Sequence, residues 1–202
     1  MFEQEPEELL RMLNGTVEAL SSICRNIDPY TECHQRRVAR LACDIAKKMG
    51  LPDEQIYGLR VIGMVHDIGK MALPDEIVSK PSKLSENEFN VIKTHPRLAY
   101  DILKKLDFPW PVAQTVLQHH ERVDGSGYPN QLVGHDIMLE ARILCVADVV
   151  ESMASNRPYR PAPGLEKALQ EIELNSGHLY DPEVAHACYK VSNNGGIKFD
   201  WE

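Results

Sequence analysis

His66 and Asp67 stand side by side in the run Val65-His66-Asp67-Ile68-Gly69-Lys70, at the end of an apolar helical stretch. Ile56, Leu59, Ile62 and Val65 recur at helical spacing, which aims that stretch at a protein core. A fold for this chain must therefore carry an imidazole and a carboxylate to its interior, where each needs a partner. Both side chains ligate hard-to-borderline metals, and one Asp can bridge two ions through its two oxygens. Lys70 follows His66 by four residues and Asp67 by three, so a continuous helix puts its ammonium on the ligands' side. Taken alone, the run also reads as a hydrogen-bonded His–Asp pair beside an exposed lysine.

Helical periodicity recurs along the chain and strand signals are almost absent. Leu9, Leu10, Leu13, Val17, Leu20 and Ile23 make residues 6–27 an amphipathic helix. Asp28-Pro29 opens a second helix over 29–49, closed by Gly50. A third starts at Asp53 and runs into the His-Asp segment. Residues 71–87 are a loop with one short helical turn, and Ser85 to Glu88 has the capping-box form for a helix reaching His95. Further helices cover 97–106, 111–120, 165–174 and 182–191, with a Gly-, Pro- and Asp-bearing loop over 121–136. The apolar run Leu139–Met153 is too long for a strand and reads as a buried helix. The fold class is all-α, a helical bundle with its loops near the metal-binding end. Residues 1–27 form an N-terminal helix, 28–192 the main domain and 193–202 a C-terminal tail.

A formal net charge of -8 without a Lys/Arg run argues against DNA or general nucleic-acid binding. A metal site with a few local cations can still take an anionic substrate. Five cysteines without a CxxC pair read as reduced thiols of a cytoplasmic protein. No stretch reaches the length of a membrane span, and the acidic N-terminus is no signal peptide.

Eight histidines are present, and five of them fall at the helix positions just described: His34, His66, His95, His119 and His120. Asp148 lies inside an apolar run, where a carboxylate needs a partner or a metal. With Asp67 these make seven candidate ligands from five helices. Each has an ordinary explanation by itself, but seven coincidences are not an ordinary explanation. His135, His178 and His186 read as loop or surface residues.

Residues 119–129 read His-His-Glu-Arg-Val-Asp-Gly-Ser-Gly-Tyr-Pro. That segment matches the HHExxDGxGYP signature of the HD-GYP family of bacterial cyclic-dinucleotide phosphodiesterases, and His66 to Lys70 matches its HDxGK motif. His95-Pro96, Ala141 to Asp148 and Arg157 to Tyr159 follow in the family's order. The chain resembles this family over about residues 28–190.

The resemblance implies an HD-domain bundle with a metal centre at its core and the GYP loop beside it. It places His34, His66, Asp67 and Asp148 around one ion, with Asp67 bridging to a second ion held by His95, His119 and His120. Some members add a third metal through a Glu four residues before the first histidine; here Tyr30 stands there, and Glu32 points elsewhere on a helix, so two divalent ions are expected. Iron or manganese suits the ligand set. The implied reaction is hydrolysis of cyclic di-GMP by a metal-bridging hydroxide, with either pGpG or GMP as the end product and with Asp67 and Lys70 as catalytic residues. Arg157, Arg160, Lys70, Gly127 and Tyr128 would contact substrate, Tyr128 either against a base or as a pin for its loop. Gly125 and Gly127 would give that loop its tight turns. Glu151 stands where the family usually has Asp, with its role open. Another cyclic dinucleotide such as 3′,3′-cyclic GMP-AMP, and a catalytically silent cyclic di-GMP module, are the alternatives. The implied partners are a diguanylate cyclase (GGDEF) meeting the GYP loop, a sensor or receiver domain in a longer chain, and a second copy in a homodimer.

Overall fold

The computed structural model describes residues 6–25, 29–156, 162–193 and 197. Among them the chain forms α1 (Pro6–Arg25), α2 (Pro29–Met49), α3 (Asp53–Val65), α4 (Asp75–Val78), α5 (Glu86–Ile92), α6 (His95–Leu103), α7 (Val112–Gln118), α8 (Leu139–Ala154), α9 (Leu165–Leu174) and α10 (Pro182–Asn193). Two 3₁₀ turns cover Ile68–Ala72 and Gly134–Asp136. The described residues hold no strand, only two isolated bridges. No described helix is long and apolar enough to cross a membrane.

Two neighbouring helices, α2 and α3, are joined by a turn that the sequence dictates. Gly50 takes φ +79°, the left-handed conformation that ends helices. Its N–H and that of Leu51 reach back to the Lys47 and Ala46 carbonyls, which satisfies the last turn of α2. Gly63 of α3 then lies where a Cβ would be 2.5 Å from the Ala39 Cα, so the two helices approach backbone to backbone.

The core is one cluster. Val38, Ala42 and Ile45 of α2, Leu59, Ile62 and Val65 of α3, and Ile143, Leu144, Ala147 and Val150 of α8 are fully buried. Helix α8 packs on α2 and α9, α10 closes over α2, and α1 lies across α2 and α3. Helix α6 packs between α7 and the 3₁₀ turn 68–72, the arrangement that brings His95 inward.

Helices α5, α6 and α7 end at Ile92, Leu103 and Gln118, short of the expected 95, 106 and 120, and two boundaries at the histidines differ in kind. Helix α3 stops at Val65, and Ile68–Ala72 continues as 3₁₀ rather than α. Helix α6 starts at His95 itself, because Pro96 fits a first turn, whose N–H groups have no partner in the helix anyway. Arg157, Arg160, the ends of the N-terminal segment and most of the tail 193–202 lie outside the described residues, as do the side chains of Tyr30 and Glu32.

Candidate metal centre

All seven candidate ligands meet at one place. His66 is the residue that caps the end of α3, His119 the residue that caps the end of α7, and His95 the first residue of α6. His34 comes from α2 and Asp148 from α8. His34, His66, Asp67, His95 and His119 are all at most 3% exposed.

Asp67 divides the centre. Its Oδ1 lies 3.3 Å from His95 Nε2. Its Oδ2 lies 3.6 Å from His66 Nε2 and 3.7 Å from His34 Nε2. On the first side His95, His119 and His120 bring ligand atoms together, with the His95 and His119 Nε2 atoms 3.4 Å apart. On the second, His34, His66 and Asp148 do the same, and His34 Nε2 is 3.1 Å from Asp148 Oδ1.

The rings are aimed by their other nitrogen. His66 Nδ1 donates to the Gly63 carbonyl at 2.7 Å, His95 Nδ1 to Ile92 at 2.8 Å and His119 Nδ1 to Val116 at 2.6 Å. A carbonyl only accepts, so each Nδ1 carries the proton and each Nε2 presents a lone pair to the centre. His34 Nδ1 bonds to the carboxylate of Glu151, which Arg37 holds from its other oxygen. Glu151, fully buried, thus orients His34, the role the sequence left open. Arg37 was not foreseen at all.

Burial pushes the His66 imidazole down, the His95 imidazole to about 4 and that of His119 to about 3, so all three are neutral at pH 7. His120 is likewise held well below its ordinary value, by burial and then by His119. For His34 burial is outweighed by its bonds to Asp148 and Glu151, and its pKa rises to about 9. Burial also opposes ionisation of Asp67 and Asp148. Even so, Lys70 and the imidazoles hold Asp67 well below the usual carboxylate range, and His34 does the same for Asp148.

These residues fit divalent metal ions. His66 Nε2 is fully buried with no hydrogen-bond partner among the described residues, an orphaned lone pair that a cation would satisfy. The four imidazoles held neutral, all but His34, and the ionised carboxylates are in the protonation states that metal binding requires.

Lys70 reaches Asp67 Oδ2 at 2.6 Å. It does so from the 3₁₀ turn, where residues three apart eclipse, not from a continuous α-helix as its spacing suggested. Gly69 in that turn abuts α6: a Cβ would lie 2.0 Å from the His95 carbonyl oxygen and 2.6 Å from the Ala99 nitrogen. The glycine between Asp67 and Lys70 is what lets His95 come this close.

Beside the centre, the loop after His120 folds back on its own start. Glu121, 2% exposed, accepts from the Asn130 N–H at 2.7 Å and the Leu132 N–H at 3.1 Å. Its place in the signature was legible, but this role was not. Gly125 takes φ +84°, as a tight turn needs. Gly127 does not have positive φ; its requirement is space, since a Cβ would lie 2.4 Å from the Arg122 nitrogen. Tyr128 lays its ring against His120 with centroids 4.8 Å apart. His135, His178 and His186 are exposed, as expected.

The HD domain family matches residues 8–184. The cyclic di-GMP phosphodiesterase response regulator RpfG of Xanthomonas campestris is 41% identical over 178 residues, 86% of this chain and 47% of that protein. A cyclic di-GMP phosphodiesterase of Thermotoga maritima is 38% identical over 87% of this chain and 48% of its own length. The chain therefore spans about half the length of the curated relatives it matches. The crystal structure of a cyclic GMP-AMP specific phosphodiesterase of Vibrio cholerae superposes with a TM-score of 0.60 at 30% identity, covering 95% of this chain and 42% of that one.

Proposed function

The chain belongs to the HD-domain family, and from that premise we propose that it is a metal-dependent phosphodiesterase hydrolysing cyclic di-GMP, with either pGpG or GMP as the end product. The observation that carries this reading is Asp67, whose two oxygens face two separate imidazole groups. His34, His66, Asp67 and Asp148 would hold one divalent ion, and Asp67, His95, His119 and His120 a second, with iron or manganese suited to the set. When bound, such ions supply positive charge for phosphate oxygens and acidify water.

The chain's own groups bind and orient. Lys70 sits at the edge of the centre, on Asp67, where its ammonium would donate to the oxygens of a bound phosphate. Arg157 and Arg160, 9 and 12 residues after Asp148, supply the planar donor forks that phosphate favours. Gly127 and Tyr128 would form the wall of the substrate cleft on the loop side. That loop would also be the surface for a diguanylate cyclase, in a cytoplasmic signalling protein that carries a sensor or receiver domain and pairs as a homodimer.

A second substrate reading has its own support. The Vibrio cholerae structure that this chain resembles at 30% identity is of a cyclic GMP-AMP specific enzyme. Turnover of cyclic di-GMP and of 3′,3′-cyclic GMP-AMP by manganese- or iron-loaded protein, purified anaerobically, decides between the two by their ratio of rates. Linear product from the wild type and none from Asp67→Ala is the expected result. Protein that holds its metals and binds nucleotide yet releases no product overturns the enzyme in favour of a silent binding module.

A further inference from the structure

Four of the five histidines in the centre have the ring nitrogen that faces away from it bound. His34 uses Glu151, and His66, His95 and His119 each use a carbonyl three residues back. His120 has no such bond. Among the described residues neither of its ring nitrogens makes a hydrogen bond, and the nearest carboxylate oxygen, on Asp148, is 3.9 Å from Nδ1. The second side-chain torsion of an imidazole is broad, so without that bond only packing sets the angle of the ring. A ligand that turns binds metal poorly.

A face of Tyr128 takes the place of the missing bond. The two rings lie 4.8 Å apart at 32°, a tilted stack. His120 also touches the rings of His95 and His119, but these are ligands themselves. The Tyr128 ring is fixed by the backbone on both sides. Its own N–H donates to the His120 carbonyl at 3.2 Å, so stack and backbone bond join the same two residues. On the far side Glu121 clamps Asn130 and Leu132, and Gly127 lets the loop lie on the Glu121–Arg122 backbone. The Tyr128 hydroxyl makes no hydrogen bond among the described residues, so the ring is the part in use.

We propose that Tyr128 is a positioning residue for His120, its stacked ring replacing the hydrogen bond that orients the other four imidazoles, with Glu121 holding that ring in place. This rests on the reading that His95, His119 and His120 share a metal ion with Asp67. It adds a role for Tyr128 in metal binding to its place in the substrate cleft.

Manganese titration of the full chain tests it, followed by calorimetry and by electron paramagnetic resonance of the ion pair. Wild type and Tyr128→Phe, which keeps the stack, should each bind two ions per chain. Tyr128→Leu should bind one ion as the wild type does and the second about 10–100-fold more weakly, with the pair signal lost at two equivalents. His120→Ala sets the limit for a missing ligand. Melting of the metal-free variants separates lost orientation from lost fold. If Tyr128→Leu does not fold, Glu121→Gln, which leaves the ring but loosens its loop, must weaken the same ion and spare the other. Wild-type affinity for both ions in Tyr128→Leu overturns the proposal. So does a Tyr128→Phe as weak as Tyr128→Leu, since the hydroxyl would then be the agent. A wild type that takes up one ion, or a His120→Ala that keeps two, overturns the metal assignment underneath.

Discussion

Replacing Gly69 with alanine puts a methyl group into the contact that seats His95. The added carbon would stand 2.0 Å from the His95 carbonyl oxygen and 2.6 Å from the Ala99 nitrogen, where ordinary contact begins at 3.4 Å. Both atoms are backbone of α6, so no side-chain rotation relieves the overlap, and the helix and the 3₁₀ turn must part by roughly 1.4 Å. His95 is the first residue of α6, and its Nε2 lies 3.3 Å from Asp67 and 3.4 Å from His119. A shift of that size takes it out of any shared coordination sphere. Overpacking of this kind costs about 1–3 kcal/mol, and for a domain of this length each kcal/mol lowers the melting temperature by about 2–4 °C. The assay is metal content by elemental analysis after manganese loading, beside thermal unfolding of the metal-free protein. Gly69→Ala should lose one ion per chain and melt several degrees lower. Gly15→Ala is the control: it lies within α1 with nothing within 4 Å of an added Cβ, and should stabilise by about 0.5–1 kcal/mol. A Gly69→Ala protein with wild-type metal content and melting temperature refutes the argument that α6 is seated through this contact.

Glu151→Gln keeps the shape but removes the charge that His34 and Arg37 share, and should weaken the ion on the His34 side about 10–100-fold, as read by metal titration. His34, near 9 in the metal-free protein, carries a proton at pH 7 that a metal ion must displace, whereas His95 and His119 are already neutral. Loading at pH 7 should therefore release a proton from His34, and affinity should rise as pH goes from 7 toward 9. Calorimetry in buffers of different ionisation heat measures this; a buffer-independent heat would refute it. The metal-free fold should lose stability as pH falls from 6.5 toward 4, because His95 and His119 take up protons in the unfolded chain before they do in the folded one. Acid titration of the unfolding free energy gives the sign directly. Arg160→Ala should raise KM for the cyclic dinucleotide more than it lowers kcat, the pattern of a lost phosphate contact.

What the chain shows without a structure is what is local or repeated. The stripes of α2, α3 and α8 gave the bundle, and the ordered His and Asp motifs gave the seven side chains that the structure brings together. What it hides depends on distance along the chain or on small changes of helical pitch. Glu151 and Arg37 are 114 residues apart, and nothing near either names the other. Glu121 is visible in its motif, but its partners are backbone N–H groups of Asn130 and Leu132, which have no sequence mark. Lys70 reaches Asp67 whether the turn is α or 3₁₀, so the spacing could not say that α3 stops at Val65. Gly127 looked like a turn glycine, and only the Arg122 nitrogen beside it shows that it is needed for room.

Helices α3 and α7 are capped at their ends by the residues that face the metal centre, His66 and His119. One residue inserted upstream in either helix would turn its ligand by about 100° and advance it by about 1.5 Å. The lengths of these two helices are therefore fixed by the centre, not by the core they pack in. The stretch from Leu73 to Thr94 is under no such constraint. It leaves the centre after Lys70 and returns at His95, and its two short helices, α4 and α5, bury no residue among them. Insertions and deletions that survive in this domain should fall there, and a chain lengthened there should still bring its ends back to the same imidazole and ammonium.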